Sequence, residues 1–107
     1  MTFTQAERER VANCSICRRL EDTEFVDHIW TTDVLPDAAH KLETVATLGF
    51  YYPLLQQCPE CGTYYTYYRD CGYMEDDESL KRLSDEEGQN LFGAGNRRSG
   101  IERQDQE

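Results

Sequence analysis

No stretch of the chain offers the roughly 20 consecutive apolar residues that a bilayer-spanning helix needs. The start, Met1-Thr2-Phe3-Thr4-Gln5-Ala6-Glu7, has neither the basic residues nor the apolar run of a secretory leader. A membrane anchor and export are therefore not expected, and a cytoplasmic location is. Positive charge is scarce: 11 Lys and Arg stand against 21 Asp and Glu, a formal net charge of −10. Such a polyanion is repelled by nucleic-acid backbones and anionic lipid, so direct nucleic-acid binding is not expected. Apolar residues are also few, 38% of 107, and only one thin core fits. The two histidines are isolated, and there is no Gly-x-Ser-x-Gly elbow, phosphate-cradling glycine loop or His-Glu-x-x-His pair. No catalytic residue is expected.

What the chain does have is cysteine in pairs. Of five, four form Cys14-Ser15-Ile16-Cys17 and Cys58-Pro59-Glu60-Cys61, with 40 residues between the pairs. In a reducing compartment this spacing reads as metal ligation before disulfide formation. Two intervening residues let a tight turn aim both sulfurs at one point, about 2.3 Å from a zinc ion, with turn amides facing the sulfurs. Two such turns complete a tetrahedron. Pro59 presets φ in the second turn, and Gly62 can take the positive φ that lets the chain leave it. At positions 58–62 the sequence resembles the zinc knuckle of zinc-ribbon and rubredoxin-like proteins. The first turn departs from that pattern, with Arg18 where the family usually has glycine.

The expected cofactor is structural Zn2+ held by Cys14, Cys17, Cys58 and Cys61, with iron as the alternative that takes the same four thiolates. A thioredoxin-like redox pair would use a single Cys-x-x-Cys opening a helix after a strand. Four thiolates close the coordination shell, which points to a structural rather than a catalytic ion. Cys71 is left over as a free, buried or half-buried thiol on a strand. His40 is expected on a wet helix surface and His28 as a satisfied, partly buried imidazole.

Along the chain, Thr4-Gln5-Ala6-Glu7 has the form of a capping box and predicts a helix over about residues 5–12. Phe25, Val26, Ile29 and Trp30 suit a strand within 24–32, with Trp30 anchoring the core. Leu35, Ala39, Leu42, Val45, Ala46 and Gly49 trace one apolar face after Pro36 and predict a helix over 36–48. Eight of the twelve aromatics fall within residues 50–73, where 51–57 and 63–69 read as two strands joined by the metal turn. Tyr64 and Tyr68 share one face and Tyr65 and Tyr67 the other. Glu75, Asp76, Asp77 and Glu78 read as an acidic loop at a hairpin tip, with 79–83 returning as a strand. Ser84-Asp85-Glu86-Glu87 is a second capping box, predicting a helix over 85–92. Residues 1–92 thus form one zinc-stabilised domain, and 93–107 read as a disordered polar tail. The fold class is α+β: a small antiparallel sheet carrying a zinc knuckle, with two or three short helices.

Charge is spread over the chain, and its densest run is 75–78. Tyrosine supplies broad contact area at low entropic cost. Tyr65 and Tyr67, together with Glu75, Asp76, Asp77 and Glu78, are therefore the candidate partner-binding residues, and a basic protein is the expected partner. The segment Cys58-Pro59-Glu60-Cys61-Gly62-Thr63-Tyr64-Tyr65 looks like that of small bacterial proteins of the immunity or uncharacterised type. That resemblance implies a non-enzymatic inhibitor that neutralises a basic partner such as a nuclease toxin, and no catalytic residue. Two other classes remain open from sequence: a zinc-ribbon accessory subunit docking on transcription or translation machinery, and a thiol redox or metal-transfer protein.

Overall fold

In the computed structural model, which describes residues 3–72, 74–94 and 96–97, the first element is helix α1 (Gln5–Ala12). Thr4 Oγ1 accepts from the Glu7 amide at 3.1 Å and Glu7 Oε1 accepts from the Thr4 amide at 2.7 Å, the reciprocal box that the sequence predicts. A short 3-10 turn (Cys17–Arg19) then leads to strand β1 (Thr23–Asp27). A second 3-10 turn (Asp37–Lys41) precedes β2 (Glu43–Thr47), β3 (Leu54–Gln57), β4 (Tyr64–Gly72) and β5 (Glu75–Arg82). Helix α2 (Asp85–Ala94) and the two-residue strand β6 (Asn96–Arg97) follow. The strands form one antiparallel sheet in the order β1-β5-β4-β3-β2-β6. The α+β class and the small antiparallel sheet are as expected.

Each face of the sheet has its own core. On one, Tyr65 and Leu80 pack with Val26, Leu35, Leu42 and the cysteine turns. On the other, Tyr64, Leu55, Ala46 and Leu83 pack under α2, with Leu91 and Phe92 covering them. Close approach of α2 depends on Gly88, where a Cβ would lie 2.2 Å from the Tyr64 ring. The two ends of the sheet differ as well. Cysteine turns cluster at the end where β3 finishes and β4 begins; the 28–34 and 48–53 connections and the β4–β5 turn lie at the opposite, outer end.

Several expectations fail here, each for an identifiable reason. The predicted 36–48 helix is a single 3-10 turn followed by β2. Thr44 and Thr47 are β-branched and pair with β3, with β-branched Val45 at an irregularity between the paired residues Thr44 and Ala46, and tertiary pairing overrides the helical period. Its apolar residues are nonetheless buried, but in two cores: Leu35, Ala39 and Leu42 on one face and Ala46 on the other. The strand expected over 24–32 ends at Asp27, and Trp30 is 80% exposed in the following connection rather than anchoring the core. Residues 75–78 are not a loop tip but the first half of β5, paired with the outer half of β4. The strand expected from residue 51 starts at Leu54, and α2 runs to Ala94 before Asn96 and Arg97 pair with β2. The rest of the expected tail lies outside the described residues. Among the described residues, no helix is long and apolar enough to cross a membrane.

Candidate metal centre

Four sulfurs from two distant turns meet at one point. Cys14 and Cys17 follow the end of α1, and Cys58 and Cys61 form the tight connection between β3 and β4. All four Sγ atoms lie within 4.8 Å of one another. Cys14 Sγ is 3.6 Å from Cys58 Sγ, and Cys17 Sγ is 3.5 Å from Cys61 Sγ. A metal–sulfur tetrahedron with bonds of about 2.3 Å has edges of about 3.8 Å. A disulfide would need about 2.05 Å. The arrangement thus has the size of a tetrathiolate cage for one ion, and the residues fit it. Cys14, Cys17 and Cys58 are buried and Cys61 is half-buried.

Local backbone chemistry shapes both turns. In the second, the Gly62 amide donates to the Cys58 carbonyl at 2.9 Å and Gly62 takes φ of 85°, the left-handed conformation expected of it. In the first, the Cys17 amide donates to Cys14 Sγ at 3.4 Å, and a 3-10 turn takes the place of the glycine exit. That is how Arg18 is accommodated: the chain leaves the metal through right-handed backbone, where a side chain carries no penalty. The two turns are also tied to each other. Glu60 accepts from the Ser15 amide at 2.8 Å and from the Ser15 hydroxyl. Those contacts, the hydroxyl first, hold the Glu60 carboxyl below its ordinary pKa.

Residues far from the cysteines in sequence orient the cage. Arg82 is only 4% exposed. It donates to the carbonyls of Cys17 at 3.0 Å and Leu20 at 2.7 Å, to Asp22 Oδ1 at 2.5 Å and to the Tyr65 hydroxyl at 3.1 Å. One buried guanidinium thereby fastens the first cysteine turn to β5. Burial pushes the Cys17 thiol up, and the neighbouring Tyr65 hydroxyl works the other way. For Cys61, burial also acts to raise the thiol, but Thr63 and the adjacent cysteines outweigh it and bring the pKa down to about 7. The Thr63 hydroxyl lies 3.1 Å from Cys61 Sγ and accepts from Arg10 Nε at 3.3 Å. Arg10 in turn makes a two-pronged contact with Asp85, at 2.6 and 2.9 Å, at the start of α2. Glu7, 8% exposed, completes this layer by accepting from the Asp85 amide at 2.6 Å. The same carboxylate caps α1 and the first turn of α2. Sequence reasoning placed Glu7 in the cap of α1 but missed its bond to the Asp85 amide, and it missed Arg10, Arg82 and the role of Tyr65. The separations, up to 78 residues, leave no local signal, although a basic residue in a strand of alternating pattern was the available hint.

The candidate partner-binding residues are not brought together as one surface. Tyr65 has no exposed surface and serves the metal centre, so it is unavailable to a partner. Tyr67 is half-buried and donates to Glu78. Glu78 Oε1 also lies 2.6 Å from His28 Nε2, with Arg69 3.9 Å from Oε2. Burial acts to raise the Glu78 carboxyl, but Tyr67, His28 and Arg69 outweigh it and hold it below its ordinary value. Glu78 is therefore an internal ion-pair member, and His28 is the satisfied imidazole that was expected. Asp76 is engaged by Arg69 at 2.7 Å. Glu75 and Asp77 have no side-chain partner among the described residues. His40 is exposed, as expected. Cys71 stands on β4 but is exposed rather than buried or half-buried, because the strand has run past its cover by that point. Compared with known proteins, the chain matches no family model, no curated protein and no solved structure.

Proposed function

We propose that the chain is a non-enzymatic protein-interaction module, stabilised by one structural Zn2+ and acting on a basic protein partner. The observation that carries this reading is the closed cage. Four thiolates from positions 14, 17, 58 and 61 converge at metal-binding distance, with three of them buried, which leaves no coordination position for a water or substrate. Such a site stabilises instead of reacting. Structural zinc contributes about 10 kcal/mol or more, comparable with the whole net stability of a small domain. The net charge of −10 supports a basic partner through electrostatic steering and complementarity. An immunity-type inhibitor that masks a basic toxin is one specific form of this function.

The test has two parts. Native mass spectrometry of the loaded chain, beside metal analysis, is expected to give one zinc per chain and no iron. Chelation is then expected to abolish the near-ultraviolet circular dichroism; a metal-free chain that keeps it overturns the structural role. Affinity capture at physiological salt is expected to recover a basic protein; nucleic acid without protein refutes the interaction reading.

A further inference from the structure

β4 is longer than the strand beside it. Its pairing with β5 runs from Tyr65 to Gly72, but β3 stops at Leu54, opposite Tyr67. Among the described residues, 68–72 therefore have a paired strand on one side only. Among the described residues, no backbone hydrogen bond joins this stretch to the 48–53 connection. The space that β3 leaves is a cleft of about 430 Å³, walled by Phe50, Tyr51 and Tyr52 on one side and by residues 68–71 of β4 on the other. A strand edge with unpaired amides and carbonyls, open to solvent, is a template for another strand.

The surroundings say what kind of strand fits. Helix α2 covers the sheet face that carries Tyr64 only at the cysteine end; on the outer half Tyr68 has the edge-on ring of Tyr52 beside it, with 6.1 Å between centroids. There the strand register sets two rows side by side. Phe25, Ser79 and Tyr68 form one, with Phe25 61% and Tyr68 44% exposed; Asp27, Asp77 and Asp70 form the other. Aspartates directly opposite each other on adjacent strands repel. Neither Asp70 nor Asp77 has a side-chain partner among the described residues. The outer segments 25–34, 48–54 and 68–79 together hold seven acids and one base, Arg69, which is already paired with Asp76. Nothing in these segments neutralises the aspartate row, so the row is complementary to a cationic partner. A second copy of the chain would bring the same negative charge and is disfavoured.

The geometry points to strand addition: an extended, Lys- or Arg-bearing segment of a partner protein pairs with residues 68–72 of β4 in this cleft. Its cations lie over Asp70 and Asp77, and its apolar residues lie against Tyr68 and Phe50. This deepens the interaction-module reading and rests on it. The five free residues of β4 span about 16 Å, enough for a strand of ordinary length.

The zinc-loaded full chain, labelled with nitrogen-15, is titrated with the hexapeptide Lys-Thr-Val-Thr-Lys-Thr, which sets lysine and valine alternately along one face of a strand. Chemical-shift changes are expected at 50–53 and 68–72, and none at 14–17 or 58–63. The same peptide methylated on every backbone nitrogen, which keeps its charge but removes the strand donors of both edges, is expected to bind at least tenfold more weakly. The double variant Asp70→Asn, Asp77→Asn is expected to lose about tenfold in affinity at low salt, as two surface ion pairs would. Because it removes a repulsion, this variant should fold at least as well as the parent, so lost binding is not lost structure. Equal binding of the methylated peptide overturns strand addition, as do shifts confined to β1 or α2. Binding elsewhere on the chain sinks the cleft but leaves the interaction module standing; no binding of the basic peptide at low salt sinks the cleft. A concentration-dependent dimer that produces the same shifts without peptide would assign the edge to a second copy, and a single-stranded oligonucleotide that produces them would assign it to nucleic acid. Either result overturns the proposal.

Discussion

Gly88 sits in the middle of α2, where intrinsic propensity argues for replacing it. Alanine is favoured over glycine in a helix interior by about 0.8–1.0 kcal/mol. Packing argues the reverse. An alanine Cβ at position 88 would lie 2.2, 2.4 and 2.6 Å from three atoms of Tyr64. Carbon atoms make contact at about 3.5–4.0 Å, so the helix or the ring must retreat by more than about 1 Å. Tyr64 is buried, with its hydroxyl accepting from Gln89 at 3.4 Å and its ring 6.4 Å from that of Phe92. Overpacking of this kind costs typically 1–3 kcal/mol and occasionally more. The contact is closer than a flexible side chain could relieve, so the upper part of that range applies. Gly88→Ala is therefore expected to destabilise the zinc-loaded chain by about 1–2 kcal/mol net, measured by guanidinium unfolding followed by circular dichroism. In a Tyr64→Ala background the clash is gone and the propensity term remains, so the same substitution is expected to stabilise by up to about 1 kcal/mol. A sign that fails to reverse between the two backgrounds would refute this account of how α2 is seated.

Arg82→Leu leaves two buried carbonyls and the Tyr65 hydroxyl without their donor, and is expected to destabilise by about 3–5 kcal/mol, read as a fall in the denaturation midpoint. Glu7→Gln tests the shared cap. The Glu7 carboxyl is held below its ordinary value, chiefly by the Asp85 amide and then by the Thr4 amide. Its contribution is thus fully present above the unfolded pKa of about 4.3 and is lost as pH falls through the lower folded value. Relative to wild type, the variant should show its largest stability deficit above about pH 5 and a shrinking one below pH 4; a deficit that grows on acidification contradicts the assignment. Cys71→Ser should leave metal content and stability unchanged, whereas Cys58→Ser should lower both; equal damage, read by metal analysis and circular dichroism, would overturn the ligand set.

The parts of the structure that were legible in the sequence are those in which neighbouring residues carry the physics. Thr4 with Glu7, and Ser84 with Glu87, make reciprocal caps within one turn, and both helices begin where those caps place them. Cys58 to Gly62 is a self-contained turn, and its spacing announced both the ligands and the positive φ. Long-range pairing was not legible. The apolar positions between Leu35 and Ala46 mimic one helical face because they serve two cores on opposite sides of a sheet. The acids of 75–78 look like a solvated loop until β4 brings Arg69 and Tyr67 beside them and the turn after β1 brings His28. Trp30 illustrates the limit of composition: a large aromatic was assigned to the core by size, but its segment has left the sheet when it is reached.

The claim on which the rest stands is a single ion held by Cys14, Cys17, Cys58 and Cys61. X-ray absorption at the metal edge of the intact, loaded chain measures that shell directly. Four sulfur neighbours at about 2.3 Å around one zinc are expected, unchanged in Cys71→Ser. A shell containing nitrogen or oxygen, or fewer than four sulfurs, would contradict it.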